Sequence, residues 1–313
     1  MTRTRWKAAG ALVLALVLTI TVAACGNDDN SEAKTESTKV EGPTIRIAPQ
    51  DFAEAKTLTE VYAQYLKDQG FDVAIQKPDG FRSQVYPDLE ANKIDLIIDY
   101  TGSATSFLDK TKTASADPAA TAATFNSLLP AHKLVAGTYS PAEDQNALVA
   151  TKAFADQHGL TSISDLKKVG GTIKLAGAED CRERADCLKG YTDPAKYGLK
   201  MDFTAVSYGP PLIAALDSGT AQVVQYQTTA AELASGKYVV LKDDKSILSA
   251  DNIVPVMRKA LADAYGQKLQ TALDKISSTL TTADLIQFNV GTDQKKEEPA
   301  DVARTWLKDK GLI

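Results

Sequence analysis

Short apolar runs and helix-period segments alternate along the chain from Thr44 onward, and this alternation limits the fold more than any other feature. Thr44-Ile45-Arg46-Ile47-Ala48 reads as a strand. From Thr57 to Gln69, Leu58, Val61, Tyr62, Tyr65 and Leu66 recur at helical spacing, and Gly70 is placed as a stop. Phe71 to Ile75 is a second strand, a helix follows around Val85 to Asn92, and Ile94 to Ile98 is a third strand. A βαβαβ order predicts a mainly parallel sheet with right-handed crossovers and helices on both faces. Ligands of such sheets bind beyond the carboxyl ends of the strands. Here those ends are the loops Pro49 to Ala55, Lys77 to Gln84 and Asp99 to Ser106.

The pattern restarts after residue 146. Ala147 to Ala150 is apolar, Ser164-Asp165-Leu166 begins a short helix, and Leu212 to Leu216 is helical. Strands are predicted at Thr172 to Ala176, Gln222 to Gln225 and Tyr238 to Leu241. Arg258 to Leu280 reads as helical, carrying Leu261, Tyr265, Leu269, Leu273 and Ile276, and Ala300 to Lys308 as the last helix. Two α/β units with a helical tail predict two lobes and a cleft.

Before the first strand, Arg3, Arg5 and Lys7 precede an uncharged run from Ala8 to Ala24, which reads as an export signal. A transmembrane helix is the alternative, since the run approaches spanning length. The run ends in Val22-Ala23-Ala24-Cys25-Gly26, and small residues before a cysteine resemble the lipobox of bacterial lipoproteins. That resemblance implies that residues 1–24 are removed and that Cys25 is lipidated as the mature N-terminus. Residues 25–42 would be the lipidated start and a flexible tether, because Asn27 to Val40 has almost nothing to bury. Loss of three basic residues takes the formal charge from −5 to −8. An acidic chain lacks the clustered basic face of a nucleic-acid binder, so no nucleic-acid partner is expected and membrane attachment would be through lipid.

Cys181 and Cys187 are the other cysteines of the chain, and in an oxidising extracytoplasmic compartment such a pair reads as a disulfide. Two free buried thiols are the alternative. Two histidines leave little material for a metal centre or acid–base catalysis; His132 and His158 read as surface residues. No G-x-S-x-G, H-E-x-x-H or G-x-x-x-x-G-K-[ST] occurs, so neither an enzyme nor a cofactor is expected.

Ile45 to Leu66, IRIAPQDFAEAKTLTEVYAQYL, resembles the opening of the solute-binding proteins of osmoprotectant ABC importers, the glycine betaine, choline and carnitine receptors. Further similar segments follow in order: Ile94-Asp95-Leu96 running to Tyr100-Thr101-Gly102, Ser140 to Ala147, Arg184 to Gly190, Val224 to Thr229, Asn252 to Pro255 and Trp306-Leu307. The resemblance spans residues 44–311. It implies a two-lobed α/β fold of the type II periplasmic-binding-protein kind. One lobe would comprise residues 43–143 plus 252–313 and the other residues 144–251, with hinge crossings near Asp144 and Asn252. A monomer would close on a small solute and dock on the transmembrane subunits of a permease.

A quaternary ammonium offers no hydrogen-bond donor and is held by aromatic faces and negative potential. A ligand carboxylate needs an arginine fork or backbone N–H groups. By the resemblance, Tyr100 matches the tyrosine of the family's Tyr-Thr-Gly-Thr motif and would join an aromatic cage. Ser103 replaces its second threonine and would still offer a hydroxyl. Tyr226 matches an aromatic position after a second-lobe strand, with Thr228 nearby. Arg184 matches the arginine of an Arg-x-Asp-Gly-Leu segment that receives the carboxylate, although Cys187 stands for its glycine. Tyr208, before Gly209-Pro210-Pro211, and Asp51 and Phe52, in the first strand-end loop, are placed to face the cleft. Gln50 stands where the family often has a lysine. Asn146 stands near an aromatic position of some members. With Asp144, it would also suit a ligand rich in donors, such as proline, a polyol or a sugar-like compound. A surface lipoprotein that binds another macromolecule is the remaining alternative.

Overall fold

The computed structural model describes residues 39–77, 80–112 and 114–313. The export signal, Cys25 and most of the expected tether lie outside them. The tether's last residues already belong to the fold: the Val40 N–H donates to the Gly70 carbonyl at 2.9 Å and its side chain packs on the core.

The chain first builds β1 (Ile45–Ile47), α1 (Ala53–Asp68), β2 (Val73–Ile75), α2 (Arg82–Glu90) and β3 (Leu96–Tyr100). Then come α3 (Thr101–Leu108), α4 (Pro118–Leu128) and β4 (Leu134–Ala136). It crosses to a second sheet with β5 (Asn146–Thr151), α5 (Lys152–His158), β6 (Ile173–Gly177), α6 (Leu188–Thr192), β7 (Met201–Ala205), α7 (Pro210–Asp217), β8 (Val223–Gln227) and β9 (Tyr238–Leu241). It returns through β10 (Ile253–Arg258) and ends in α8 (Lys259–Tyr265), α9 (Gln267–Thr279), α10 (Thr282–Asn289) and α11 (Pro299–Asp309).

The sheets are ordered β2-β1-β3-β10-β4 and β7-β6-β8-β5-β9. Each has its own buried clusters on both faces, which makes two lobes. Both sheets are mixed, where the strand–helix alternation predicts mainly parallel ones. β1 pairs in parallel with β2 and β3, but β10 runs antiparallel to β3 and β4. In the second sheet β6 is parallel to β7 and β8, and β5 is antiparallel to β8 and β9. The strand that enters or leaves each lobe does so from the hinge, without a helical crossover to reverse it.

Helix α1 begins four residues before the sequence pattern does and buries Leu58, Val61, Tyr62 and Leu66 completely. These pack in one cluster with Trp306 and Leu307 of α11. Burial of each such side chain stabilises by about 1.5–3 kcal/mol. The helical stretch expected over Arg258 to Leu280 is made of two helices, α8 and α9. Gly266, at φ +56°, breaks it in a backbone conformation that a side chain would resist. Cys181 and Cys187 are joined in a disulfide with Cα atoms 5.3 Å apart.

The two crossings run side by side. Glu143 and Asn252 form an antiparallel bridge, the Asp144 N–H donates to the Asp251 carbonyl at 3.1 Å, and that of Ile253 donates to the Ala142 carbonyl at 3.0 Å. The cleft lies between the sheets above this pair of strands.

Candidate ligand-binding cleft

The first wall is aromatic. Phe52 immediately precedes α1, and its ring stacks on Tyr100 at a centroid distance of 6.1 Å and on Phe81 at 6.5 Å. Tyr100 closes β3 with its hydroxyl turned inward, donating to Glu54 Oε1 at 2.7 Å. The Arg82 guanidinium lies 5.8 Å from the Tyr100 ring centre. Asp99 fixes it, accepting from Nε at 2.9 Å and Nη2 at 2.7 Å. Fully buried, Asp99 also accepts from the Tyr86 hydroxyl, the Gln50 amide and the Tyr100 N–H, so its oxygens are well satisfied.

The second wall carries another aromatic pair. Tyr208, just before α7 and about half exposed, stacks on buried Tyr226 of β8 at 4.9 Å. Its hydroxyl donates to Gln227 Oε1. The antiparallel register of β5 and β8 sets Asn146 opposite Gln227 and Ala147 opposite Tyr226, which brings these strand ends to the cleft.

Between the walls is a cavity of about 280 Å³. The first lobe contributes Phe52, Arg82, Tyr100 and Ser103, the second Asn146 and Gln227, and the crossings Asp144 and Asp251. A chamber of about 410 Å³ adjoins it, sharing Arg82, Ser103, Asn146 and Asp251 and adding Phe107 and Asp186. Farther out is a groove of about 890 Å³ edged by Asp117, Lys189 and Lys196.

The floor is acidic. Asp144 accepts from the Thr229 hydroxyl at 2.9 Å, yet burial and the charge of Glu54 push its carboxyl well up. Glu54 is raised by burial, against the stabilising hydrogen bonds from Tyr100 and Asn289. Burial raises Asp251 to about 6, although Ser103 donates to it from both its hydroxyl and its N–H. Burial raises the Tyr100 and Tyr208 hydroxyls too.

Of the residues expected to hold a ligand, Phe52, Tyr100, Ser103, Asp144 and Asn146 line this one cavity. Tyr208 and Tyr226 form the stack beside Gln227. Gln50 is buried behind the wall on Asp99, and Asp51 is exposed in an ion pair with Lys56 at 2.7 Å. Thr228 lies against the first crossing, its hydroxyl accepting from the Gln145 N–H at 2.9 Å. Arg184 is closed on Asp186 at 2.8 Å and Asp180 at 3.1 Å; Asp186, not Arg184, reaches the chamber.

Sequence reasoning missed Phe81, Arg82, Glu54, Gln227 and Asp251. Phe81 and Arg82 lie in the second strand-end loop, so the strand-end rule contained the signal for them. Asp251 carried none, because its place depends on the pairing of the crossings. Among the described residues no cluster of His, Cys, Asp and Glu could hold a metal ion, and no helix is long and apolar enough to cross a membrane.

A family model described as the substrate binding domain of ABC-type glycine betaine transport systems matches residues 43–309. The chain belongs to that family. It is 27% identical over 285 residues to a glycine-betaine-binding protein of Pseudomonas aeruginosa, covering 86% of this chain and 89% of that one. It is 24% identical over 278 residues to the glycine betaine-binding protein YehZ of Escherichia coli, covering 85% and 90%. The fold is that of apo YehZ (TM-score 0.76, 23% identity, covering 86% of this chain and 99% of the other). It is also that of a glycine betaine/carnitine/choline ABC transporter protein (TM-score 0.77, 19% identity, with the same coverage). The chain is therefore a substrate-binding protein of a glycine betaine-type ABC transporter, with a small-molecule solute as its ligand, and it works by binding rather than by turnover.

Proposed function

We propose that this is an extracytoplasmic receptor that captures a compatible solute by lobe closure and delivers it to the transmembrane subunits of an ABC permease. The solute is a quaternary amine such as glycine betaine, choline or carnitine, or else proline. The lobes are residues 43–143 with 252–313, and residues 144–251. The receptor acts as a monomer, held at the membrane by lipid on Cys25.

The observation that carries this reading is one aromatic stack on each lobe, Phe52–Tyr100 and Tyr208–Tyr226, with the acidic side chains of Asp144 and Asp251 lining the cavity beside the first. Aromatic faces and diffuse negative charge are what a quaternary ammonium requires. Closure brings the stacks together and buries the cation; a ligand that contacts both lobes favours the closed state by its differential affinity. Asn146 and Gln227, paired across β5 and β8, support a second reading, a polyol or sugar-like ligand held by hydrogen bonds.

Calorimetric titration with an osmolyte panel separates the two. Because Tyr208 is exposed, Tyr208→Ala leaves the fold intact and weakens quaternary-amine binding by about 0.5–2 kcal/mol. Tight binding of a polyol with no response to any quaternary amine or proline sinks the first reading.

A further inference from the structure

We propose that this cleft selects a cation that carries no carboxylate, and that Asp251 is the residue that enforces the choice. The inference rests on reading the cleft as a quaternary-ammonium site and concerns the remainder of that solute.

A zwitterion needs a donor set for its carboxylate as well as a cage for its ammonium. Three such donor sets lie in or behind the cleft, and an aspartate of this chain engages each. The first is the start of α3, where the N–H groups of Gly102 and Ser103 donate to Asp251 Oδ1 at 2.8 and 2.9 Å, and the Ser103 hydroxyl donates to Oδ2. The second is Arg82, whose Nε and Nη2 are engaged by Asp99. The third is Arg184, with Nε on Asp186 at 2.9 Å, Nη2 on its other oxygen at 2.8 Å and Nη1 on Asp180 at 3.1 Å.

The closure at α3 is built into the sequence. A Cβ on Gly102 would stand 2.4 Å from the Ala250 carbonyl oxygen, so only glycine lets the crossing approach the helix closely enough for Asp251 to cap it. Asp144 and Asp251 line the inner cavity with Arg82, and Asp186, paired with Arg184, lines the adjoining chamber. A solute carboxylate approaching the start of α3 meets the like charge of Asp251 where the N–H groups would otherwise receive it, which disfavours it. A hydroxyl or amide instead donates to these same oxygens. With its carboxyl held at about 6, Asp251 is ionised at neutral pH and opposes an anion there.

The test is titration of the full chain at neutral pH with choline, glycine betaine and glycine betaine amide, in which a neutral carboxamide replaces the carboxylate. Choline and the amide are expected to bind at least about tenfold tighter than glycine betaine, a difference of about 1.4 kcal/mol. Asp251→Asn, which removes the charge, is expected to narrow the gap between the amide and glycine betaine by about fivefold or more. Glycine betaine binding as tightly as its amide to the native chain overturns the inference without any variant having to fold. An unchanged ratio in a folded Asp251→Asn protein removes Asp251 from the role. Binding of no quaternary amine is a different failure, because it overturns the underlying reading of the site.

Discussion

The side-chain amide of Asn289 donates to Glu54 Oε2 at 2.7 Å and, with the same nitrogen, to the carbonyl of Thr229 at 2.9 Å. Glu54 is in α1 of the first lobe, and Thr229 follows β8 of the second. Thr229 in turn donates to Asp144, and Tyr100 donates to the other Glu54 oxygen. One buried polar chain therefore runs from the Phe52–Tyr100 wall to the crossings between the lobes. Networks of this kind stabilise only while every member is satisfied.

Asn289→Ala breaks the chain at its junction and removes a donor from a buried oxygen of Glu54. It is expected to lower stability by about 1–3 kcal/mol, read as a shift of the urea midpoint at unchanged slope. Loss of the contact to Thr229 also frees the lobes, so small-angle scattering of the ligand-free variant should give a larger radius of gyration. A midpoint equal to that of the native chain would show that water replaces the amide at no cost.

Cation binding should weaken as pH falls from 7 to 5. Burial raises Glu54, Asp144 and Asp251, the last to about 6, and Asp251 is faced by Arg82, Asp99 and Ser103. A bound cation favours the ionised carboxylates, so below about pH 6 it must displace protons, and calorimetry in buffers of different ionisation enthalpy should register their release. For the ligand-free fold the sign is opposite. The raised carboxyl of Asp251 binds its proton more readily folded than unfolded. Its destabilising contribution is thus present above about 6 and is relieved as pH falls toward 4. Affinity that is flat from pH 7 to 5 would show that these carboxylates do not face the ligand's charge.

Replacing both Cys181 and Cys187 by serine opens a short loop, and the chain-entropy relation gives a loss of about 2 kcal/mol. That loop carries Arg184 and Asp186, and Asp186 accepts from the Asn146 amide at 3.2 Å. The variant should therefore lose affinity as well as stability, and adding reductant to the native chain should reproduce both changes. Stability lost at unchanged affinity would make the disulfide a staple of the second lobe alone.

The two-lobed α/β organisation was legible because its signals are local. Leu58, Val61, Tyr62 and Leu66 repeat at helical spacing whatever the chain does elsewhere, and Tyr238 to Leu241 forms the strand its apolar run predicts. Strand polarity was not legible. Nothing within Ile253 to Arg258 states that it runs against β3, since that follows from its arrival from the other lobe. Nor does Arg184 reveal that its guanidinium is spent on Asp180 and Asp186, because the ion pairs depend on how the disulfide loop folds back.

Residue periodicity and strand-end position suffice to place Phe52, Tyr100 and the loop holding Arg82 at a cleft, because each follows from its neighbours in the chain. Tertiary pairing alone brings Asn146 opposite Gln227, and Asn252, 151 residues from Thr101, back against α3. That return sets Asp251 on the N–H groups of Gly102 and Ser103, turning a donor set open to a ligand's carboxylate into one the protein has filled itself. The charge such a cleft accepts is a sum over groups distant in sequence, so it is decided only when the crossings pair.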